Sequence, residues 1–359
     1  MKKELTPKQF ACIAALIIFG RLSLIGESAV GRDVWMVFIF SFLLGLPLLF
    51  VFSSLRCGGS LHDIINLSLG KKLGNIALIL LYLVAIIIAT SGTTVFTVFI
   101  SATPVENSLT LPSIVLMTIT ISILLYASEG TLGRCGGLIL PFVSILSLVS
   151  FISAIGHFDC GAILPILENG NKELIKGIFT SVGLQIAPLT FLVLSTALSM
   201  KTSKLRKSLI LGLFLSCTLL CLAHIRNLLI LGYPTVSLFR FPNYISLTQV
   251  KMGGLFQGME IVITQAFLLC LPIKSAVCLR FVLRALTENK PSTKKIWCVI
   301  LPIITGVLAY FNTGELYDKI ISSPIFKISM SCVMIIIPCT MATSLLIRKK
   351  LNRNKKKAV

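Results

Sequence analysis

Acidic side chains are scarce in this chain. Only 13 Asp and Glu stand against 33 Lys and Arg, and charged residues of both signs make up 13% of its 359 residues. A soluble domain of this size carries far more polar surface, so an ordinary water-soluble fold is excluded. Histidine is equally rare. His62, His157 and His224 are scattered singles with no cysteine or aspartate at ligand spacing, so no metal site is expected. The chain has no Gly-x-x-x-x-Gly-Lys-[Ser/Thr] phosphate loop. No serine or cysteine stands with a base and an orienting acid at readable spacing. The expectation is a protein that is not an enzyme and needs no cofactor.

What is present is apolar. Hydrophobic residues make up 55% of the chain and the mean hydropathy is +0.95. Runs of roughly 17–25 apolar residues recur throughout, each long enough to cross a hydrocarbon core of about 30 Å as a helix. The period-2 alternation of a membrane β-barrel is absent. The reading is an all-α polytopic membrane protein with ten transmembrane helices, near 9–27, 34–55, 74–101, 112–127, 137–156, 177–199, 208–231, 255–274, 296–311 and 327–347. The first run follows Lys2, Lys3 and Lys8 but has no small-residue cleavage site, so it reads as a span and not as a signal peptide. The 11 cysteines fall mostly in or beside spans and read as reduced packing residues.

The net charge of +20 is distributed unevenly. Bases concentrate in the connections 56–73, 128–136, 200–207 and 275–295 and in both termini, while acids prefer the opposite side. This is the positive-inside asymmetry, and it places both termini in the cytoplasm. The basic tail 348–359 reads as a topology anchor against anionic lipid. Bases scattered over several loops give no nucleic-acid patch. The connection after span eight is expected to continue that span as an amphipathic helix, with Lys274, Arg280 and Arg284 snorkelling. The external connections 157–176 and 232–254 are long enough to hold short helices.

No linker divides the chain, which reads as one membrane domain, with repeat 1 about 9–156 and repeat 2 about 177–347. Ten spans with the N-terminus inside allow a five-plus-five inverted repeat, the plan of many secondary transporters. Span one and span six then run in opposite directions, and both carry helix-breaking residues near mid-depth. Span one has Gly20-Arg21-Leu22-Ser23, and span six has Gly183-Leu184-Gln185-Ile186-Ala187-Pro188. Interruptions at corresponding places in two halves point to a binding site.

The candidate ligand contacts lie around these breaks: Gly20, Arg21, Ser23, Thr90, Thr93, Thr97, Gln185, Pro188 and Glu260. Arg21 lies about 18 Å along span one. It suits a carboxylate bidentately, or else it forms a salt bridge that holds span one to a neighbour. Glu260 is an acid inside a span, which is costly in lipid and marks a cavity or a partner. Arg226 lies at similar depth in span seven, so Glu260 either pairs with one arginine and leaves the other for a zwitterionic ligand, or simply locks two helices. Thr90, Thr93, Thr94, Thr97 and Ser101 fall within an arc of about 100° on span three. That hydroxyl face lines a polar cavity or packs closely on another helix. Gln185 beside the break in span six can both donate and accept.

One stretch carries a resemblance. Tyr233-Pro234-Thr235, then Leu238-Phe239-Arg240, then Glu260 and Lys274, together with the opening Leu5-Thr6-Pro7-Lys8-Gln9, resemble the spore germination permeases. These are the B subunits of germinant receptors in endospore-forming bacteria. The resemblance implies the fold of the amino acid–polyamine–organocation superfamily, LeuT-like, with broken helices 1 and 6 and a site between them and spans three and eight. It implies a multi-pass protein of the inner spore membrane. Its partners would be A-type and C-type receptor subunits, and it would sense a small nutrient such as an amino acid. Arg226, Tyr233, Pro234, Arg240 and Lys274 are then structural or coupling residues. The alternatives are an amino-acid or cation-coupled secondary transporter, and a structural membrane subunit with an empty cavity.

Overall fold

The computed structural model describes residues 5–22, 30–55, 60–102, 109–196, 200–250, 259–288, 290–312 and 323–355. Among them the chain is helical and carries no strand. The helices are α1 (Pro7–Leu22), α2 (Val34–Ser54), α3 (Leu61–Leu69), α4 (Lys71–Ala102), α5 (Thr110–Tyr126), α6 (Glu129–Ala154), α7 (Gly170–Ser181) and α8 (Leu189–Ser195). There follow α9 (Thr202–Leu231), α10 (Thr235–Leu238), α11 (Pro242–Gln249), α12 (Met259–Leu268), α13 (Cys270–Thr287), α14 (Lys294–Phe311) and α15 (Pro324–Lys355). Among the described residues eight helical stretches, not the ten expected, are long and apolar enough to cross a membrane, and two shorter apolar helices, Pro7–Gly20 and Thr110–Tyr126, stand where the first and fourth spans were expected.

Local chemistry sets the helix ends. The opening Thr6-Pro7-Lys8-Gln9 is a capping box. Gln9 N donates to Thr6 Oγ1 at 3.3 Å, Thr6 N donates to Gln9 Oε1 at 3.1 Å, and Pro7 takes the first helical position, where no N–H is needed. Ser60 and Ser128 cap α3 and α6 by accepting from the backbone N–H three residues on, at 3.0 and 3.2 Å. α9 ends at Gly232, whose φ of +69° suits a residue without a β-carbon.

The helices pack in two groups. α1 lies on α9 and α6, and α2 on α9 and α7; α4, α5, α13 and α14 lie on one another. The crossed pairs come in exchange. The first span of one half meets the second of the other (α1 with α9, α2 with α7), and the third meets the fourth (α4 with α14, α5 with α13). That is the contact pattern of an inverted repeat. Between lipid-facing helices close approach replaces the hydrophobic effect. Gly212 of α9 shows this: a β-carbon there would sit 2.8 Å from both Ala11 O and Ala14 Cβ of α1.

The inner end of span eight differs from expectation. α13 does continue span eight as a helix, but it is buried nearly all round, with Lys274 and Arg280 only 4% and 7% exposed. The charged side chains do not snorkel to the lipid surface. Arg280 and Arg284 turn inward onto the carbonyl ends of neighbouring helices.

Candidate ligand site at the interrupted sixth span

Span six is interrupted, but by a change of helical pitch and not by an unwound loop. α7 passes into a π segment, Val182–Ile186, and Ala187 N reaches back five residues to Val182 O at 2.9 Å. The chain then tightens, with Thr190 N to Ala187 O at 2.9 Å and Phe191 N to Pro188 O at 3.0 Å. Pro188 stands at the N-cap of α8, where its missing N–H leaves the carbonyl four residues earlier without a helical donor. π segments inside α-helices recur at functional sites. Gly183 has a different task from the one its place in the break suggests. A β-carbon there would meet Ser331 of α15 at 2.2 Å, so this glycine lets the sixth and last spans touch.

Gln185 lies in the π segment, 5% exposed, and its Oε1 accepts no hydrogen bond. The threonine face of α4 divides in two. Thr93 Oγ1 donates to Ala89 O at 3.3 Å and Thr94 Oγ1 to Thr90 O at 3.0 Å, so both hydroxyl protons are committed to their own helix. Thr90 and Thr97, equally buried and two turns apart, have hydroxyls with no partner. Ser101 pairs with Thr110 of α5 at 3.2 Å. α4 is held to α13 by Ser275 Oγ, which donates to Ala89 O at 3.1 Å.

Gly20 is buried against Cys270 of α13, with a built β-carbon 3.6 Å from the Cys270 β-carbon. α1 also touches the π segment and α8. α1 stays helical through Gly20 and Leu22, so the break expected in span one is not seen among the described residues; α13 packs on α1, on α8 after the sixth-span break, and on α4. Lys274 sits buried one turn beyond Cys270. The side chains of Arg21 and Glu260, and the whole of Ser23, lie outside the described residues.

Arg226 was expected to pair with Glu260 or to serve a ligand. Its partners among the described residues are neutral oxygens, and a pairing with Glu260 lies outside those residues. Nη1 donates to Ser150 Oγ of α6 at 2.6 Å; Nη2 donates to Asn227 Oδ1 at 2.8 Å, to Ser246 Oγ at 3.2 Å and to Asn243 Oδ1. Only 1% exposed, it ties α9 to α6 and α11. Tyr233, Pro234 and Arg240 lie in the neighbouring outer connection, away from the break. The Arg32 guanidinium lies 5.3 Å from the Tyr233 ring centroid, and Arg240 stands over Phe241 at 5.9 Å. Tyr233 lines an outer pocket with Arg32, Trp35, His224, Asn227 and Phe239, enclosing about 500 Å³ of empty space, part of it open to solvent.

The sequence reading missed Thr190 and Ser41, two more buried hydroxyls without partners, and the clasp formed by Arg32 and Asp33. The Asp33 carboxylate accepts Leu167 N at 3.2 and 3.1 Å, while Arg32 pairs with Glu168 at 3.1 Å and donates to Leu164 O. A hydroxyl two residues after the helix-breaking proline was the available signal for Thr190. Nothing in the local sequence links positions 33 and 167.

An all-helical membrane protein, with exchanged packing between halves and an interrupted sixth crossing, is a polytopic protein of the transporter type. The solved structures it resembles agree. MhsT in complex with L-phenylalanine superposes with a TM-score of 0.66 at 15% identity, covering 96% of this chain and 98% of that one. Mhp1, a nucleobase-cation-symport-1 family transporter in a closed conformation with bromovinylhydantoin bound, gives 0.65 at 14% identity, covering 89% and 75%. At such identity the likeness shows a LeuT-like fold and nothing about ligand. Among curated proteins no sequence matches. The chain belongs to the spore germination protein family of spore permeases, whose model matches residues 4–316.

Proposed function

We propose that this permease is the germinant-sensing subunit of a spore nutrient receptor, lodged in the inner spore membrane with both termini in the cytoplasm. A small nutrient, an amino acid in this reading, enters from outside. It settles among α1, α4, the sixth-span break and the span of α12 and α13. Binding favours one state of the two packed groups, and the shift passes to A-type and C-type subunits. The protein acts by binding and does no chemistry.

The observation that carries the reading is a set of buried oxygens with no partner: Gln185 Oε1 in the sixth-span break, and Thr90 Oγ1 and Thr97 Oγ1 on α4, which shares α13 as a neighbour with α8. Buried polar atoms are normally satisfied, and exceptions call for a water, an ion or a ligand. Pro188 supplies the backbone turn, and Gly20 lets α1 lie close to α13. Arg21, Ser23 and Glu260 complete the proposed contacts as the charged and hydroxyl partners of a zwitterion, while Thr93 contributes the wall and not a free hydroxyl. Arg226, Tyr233, Pro234, Arg240 and Lys274 hold the frame.

The fold neighbours are transporters, and that favours a second reading, a secondary transporter with the same pocket. Proteoliposomes holding the purified chain separate the two. Saturable binding of a labelled amino acid without accumulation supports the sensor, and accumulation supports the transporter. Neither binding nor accumulation of any of the twenty amino acids ends the amino-acid reading.

A further inference from the structure

The inner end of α13 carries three charged residues spaced four apart, and each is committed to the end of a different helix. Arg280 Nη2 donates to Leu124 O at 2.7 Å and Ala127 O at 2.8 Å, at the close of α5. Arg284 Nη1 donates to Leu194 O at 2.8 Å and Thr196 O at 3.4 Å, at the close of α8. The Glu288 carboxylate accepts Leu61 N at 2.7 Å and His62 N at 3.2 Å, at the start of α3. The signs are complementary throughout: cations meet the carbonyl ends of two helices, and an anion meets the N–H end of a third.

The three bonds differ in what they join. α5 packs along α13 and also on α4 and α14, so Arg280 works inside one packed group. Glu288 secures the amphipathic helix α3, which Ser344 Oγ also holds by donating to Ser68 O at 2.6 Å. α8 also packs on α13, with the Phe191 and Phe281 rings 4.9 Å apart, but among the described residues its carbonyl end at Leu194 and Thr196 meets only the Arg284 side chain. It is seven residues long, with the pitch change and Pro188 before it and the extended Thr196 after it. Its other contacts are with α1 and α2, in the opposite group. Its last carbonyls are buried, with Leu194 and Thr196 only 2% and 4% exposed, so they need a donor, and α13 provides it.

We propose that Arg284 is the positioning residue of the interrupted sixth span: it fixes α8 against α13 and holds the inner side of the pocket shut. α8 swings away from α13 only when both carbonyl bonds to Arg284 break. Arg280 and Glu288 keep α5 and α3 on α13 through that movement. This latch follows from the fold and does not depend on which ligand the pocket takes.

The test uses the full chain in liposomes carrying Ser195→Cys, a buried position at the end of α8, and a membrane-impermeant maleimide added on the α3 side. Labelling is measured against the same chain without the new cysteine. Arg284→Gln should raise the labelling rate at position 195 about tenfold, since opening of a local element sets the exposure of its buried groups. Arg284→Lys, which keeps the charge but lacks the fork, should give a smaller rise, and Arg280→Gln should leave the rate unchanged. An unchanged rate in Arg284→Gln overturns the proposal. So does an equal rise in Arg280→Gln, which indicates general loosening of the inner end. Should Arg284→Gln not be recovered in the membrane, Arg284→Lys decides by the same criteria.

Discussion

Two polar regions of this membrane protein are built on opposite terms. Around Arg226, where α6, α9 and α11 meet, a buried guanidinium donates to Ser150, Asn227, Asn243 and Ser246, with only its Nε and the Asn243 amide nitrogen left without a partner. In the sixth-span break and on α4, Gln185, Thr90 and Thr97 are equally buried and their side-chain oxygens have no partner. A polar group in a dry interior contributes when satisfied and costs when not. The first region, largely bonded to itself, fits a structural role, and the second is where the proposed ligand would supply the missing partners.

That contrast is broken most directly at its strongest point. Arg226→Ala removes the hub and leaves Asn243, Ser246 and Ser150 with unmet groups, which should lower stability by about 3 kcal/mol or more. The check is thermal unfolding of the detergent-solubilised protein. An unaltered melting temperature removes Arg226 from the frame and reopens its role as a ligand residue. Gly183→Ala tests the frame at the break itself. With a β-carbon at 2.2 Å from Ser331, overpacking should cost about 1–3 kcal/mol, read in the same melt.

The opposite region should respond in the opposite way. Gln185→Leu removes a buried acceptor that has no partner, so stability should hold or rise slightly while ligand affinity falls. The loss of one hydrogen bond to a buried ligand is about tenfold in Kd. Scintillation proximity binding and a melting curve on the same preparation give both readings. A variant that melts early and binds normally places Gln185 in the frame. On α4 the prediction is finer. Thr90→Val should weaken binding, whereas Thr93→Val should change affinity less, because the Thr93 proton already serves Ala89 O. Equal effects at the two positions would show that the face acts by packing alone.

The two regions were not equally legible in the sequence. Helices are written in apolar length, so the all-helical membrane plan and eight of the ten expected spans could be read directly, while the break expected at Gly20-Arg21-Leu22 in span one is not seen, since α1 is helical through Leu22. The sixth-span break was visible because glycine and proline act on the backbone next to them. Its form was not. A π turn spreads the missing proline bond over several residues, whereas an unwound loop would leave them bare. The Arg226 cluster was not legible because, apart from the adjacent Asn227, its partners come from α6 and α11, 76 and 17 to 20 positions away, and are neutral serines and asparagines of a kind found all over the chain. Snorkelling of Arg280 and Arg284 was the natural reading of bases near a helix end. What redirected them was the uncapped carbonyl ends of α5 and α8, which only tertiary packing brings within reach.

The smallest expected effect lies in the outer clasp, where a partnered pair is also exposed. Arg32 and Glu168 are 3.1 Å apart, with side chains 18% and 38% accessible. Glu168→Gln should cost less than about 1 kcal/mol, because a solvated ion pair gains little over its hydrated ions. Arg32 would still donate to Leu164 O and lie over Tyr233, so the clasp survives the change. Asp33 is the stringent comparison beside it. It is 2% exposed, and both of its oxygens face Leu167 N, so Asp33→Asn weakens a charge-assisted bond in a dry site. The Asp33 change should exceed the Glu168 change in the melt, and the excess should persist at about 1 M salt, where the Debye length is about 3 Å and the Arg32 pair is screened. Equal losses at the two positions would mean that net charge at the outer rim, and not burial with satisfied bonds, holds these connections together.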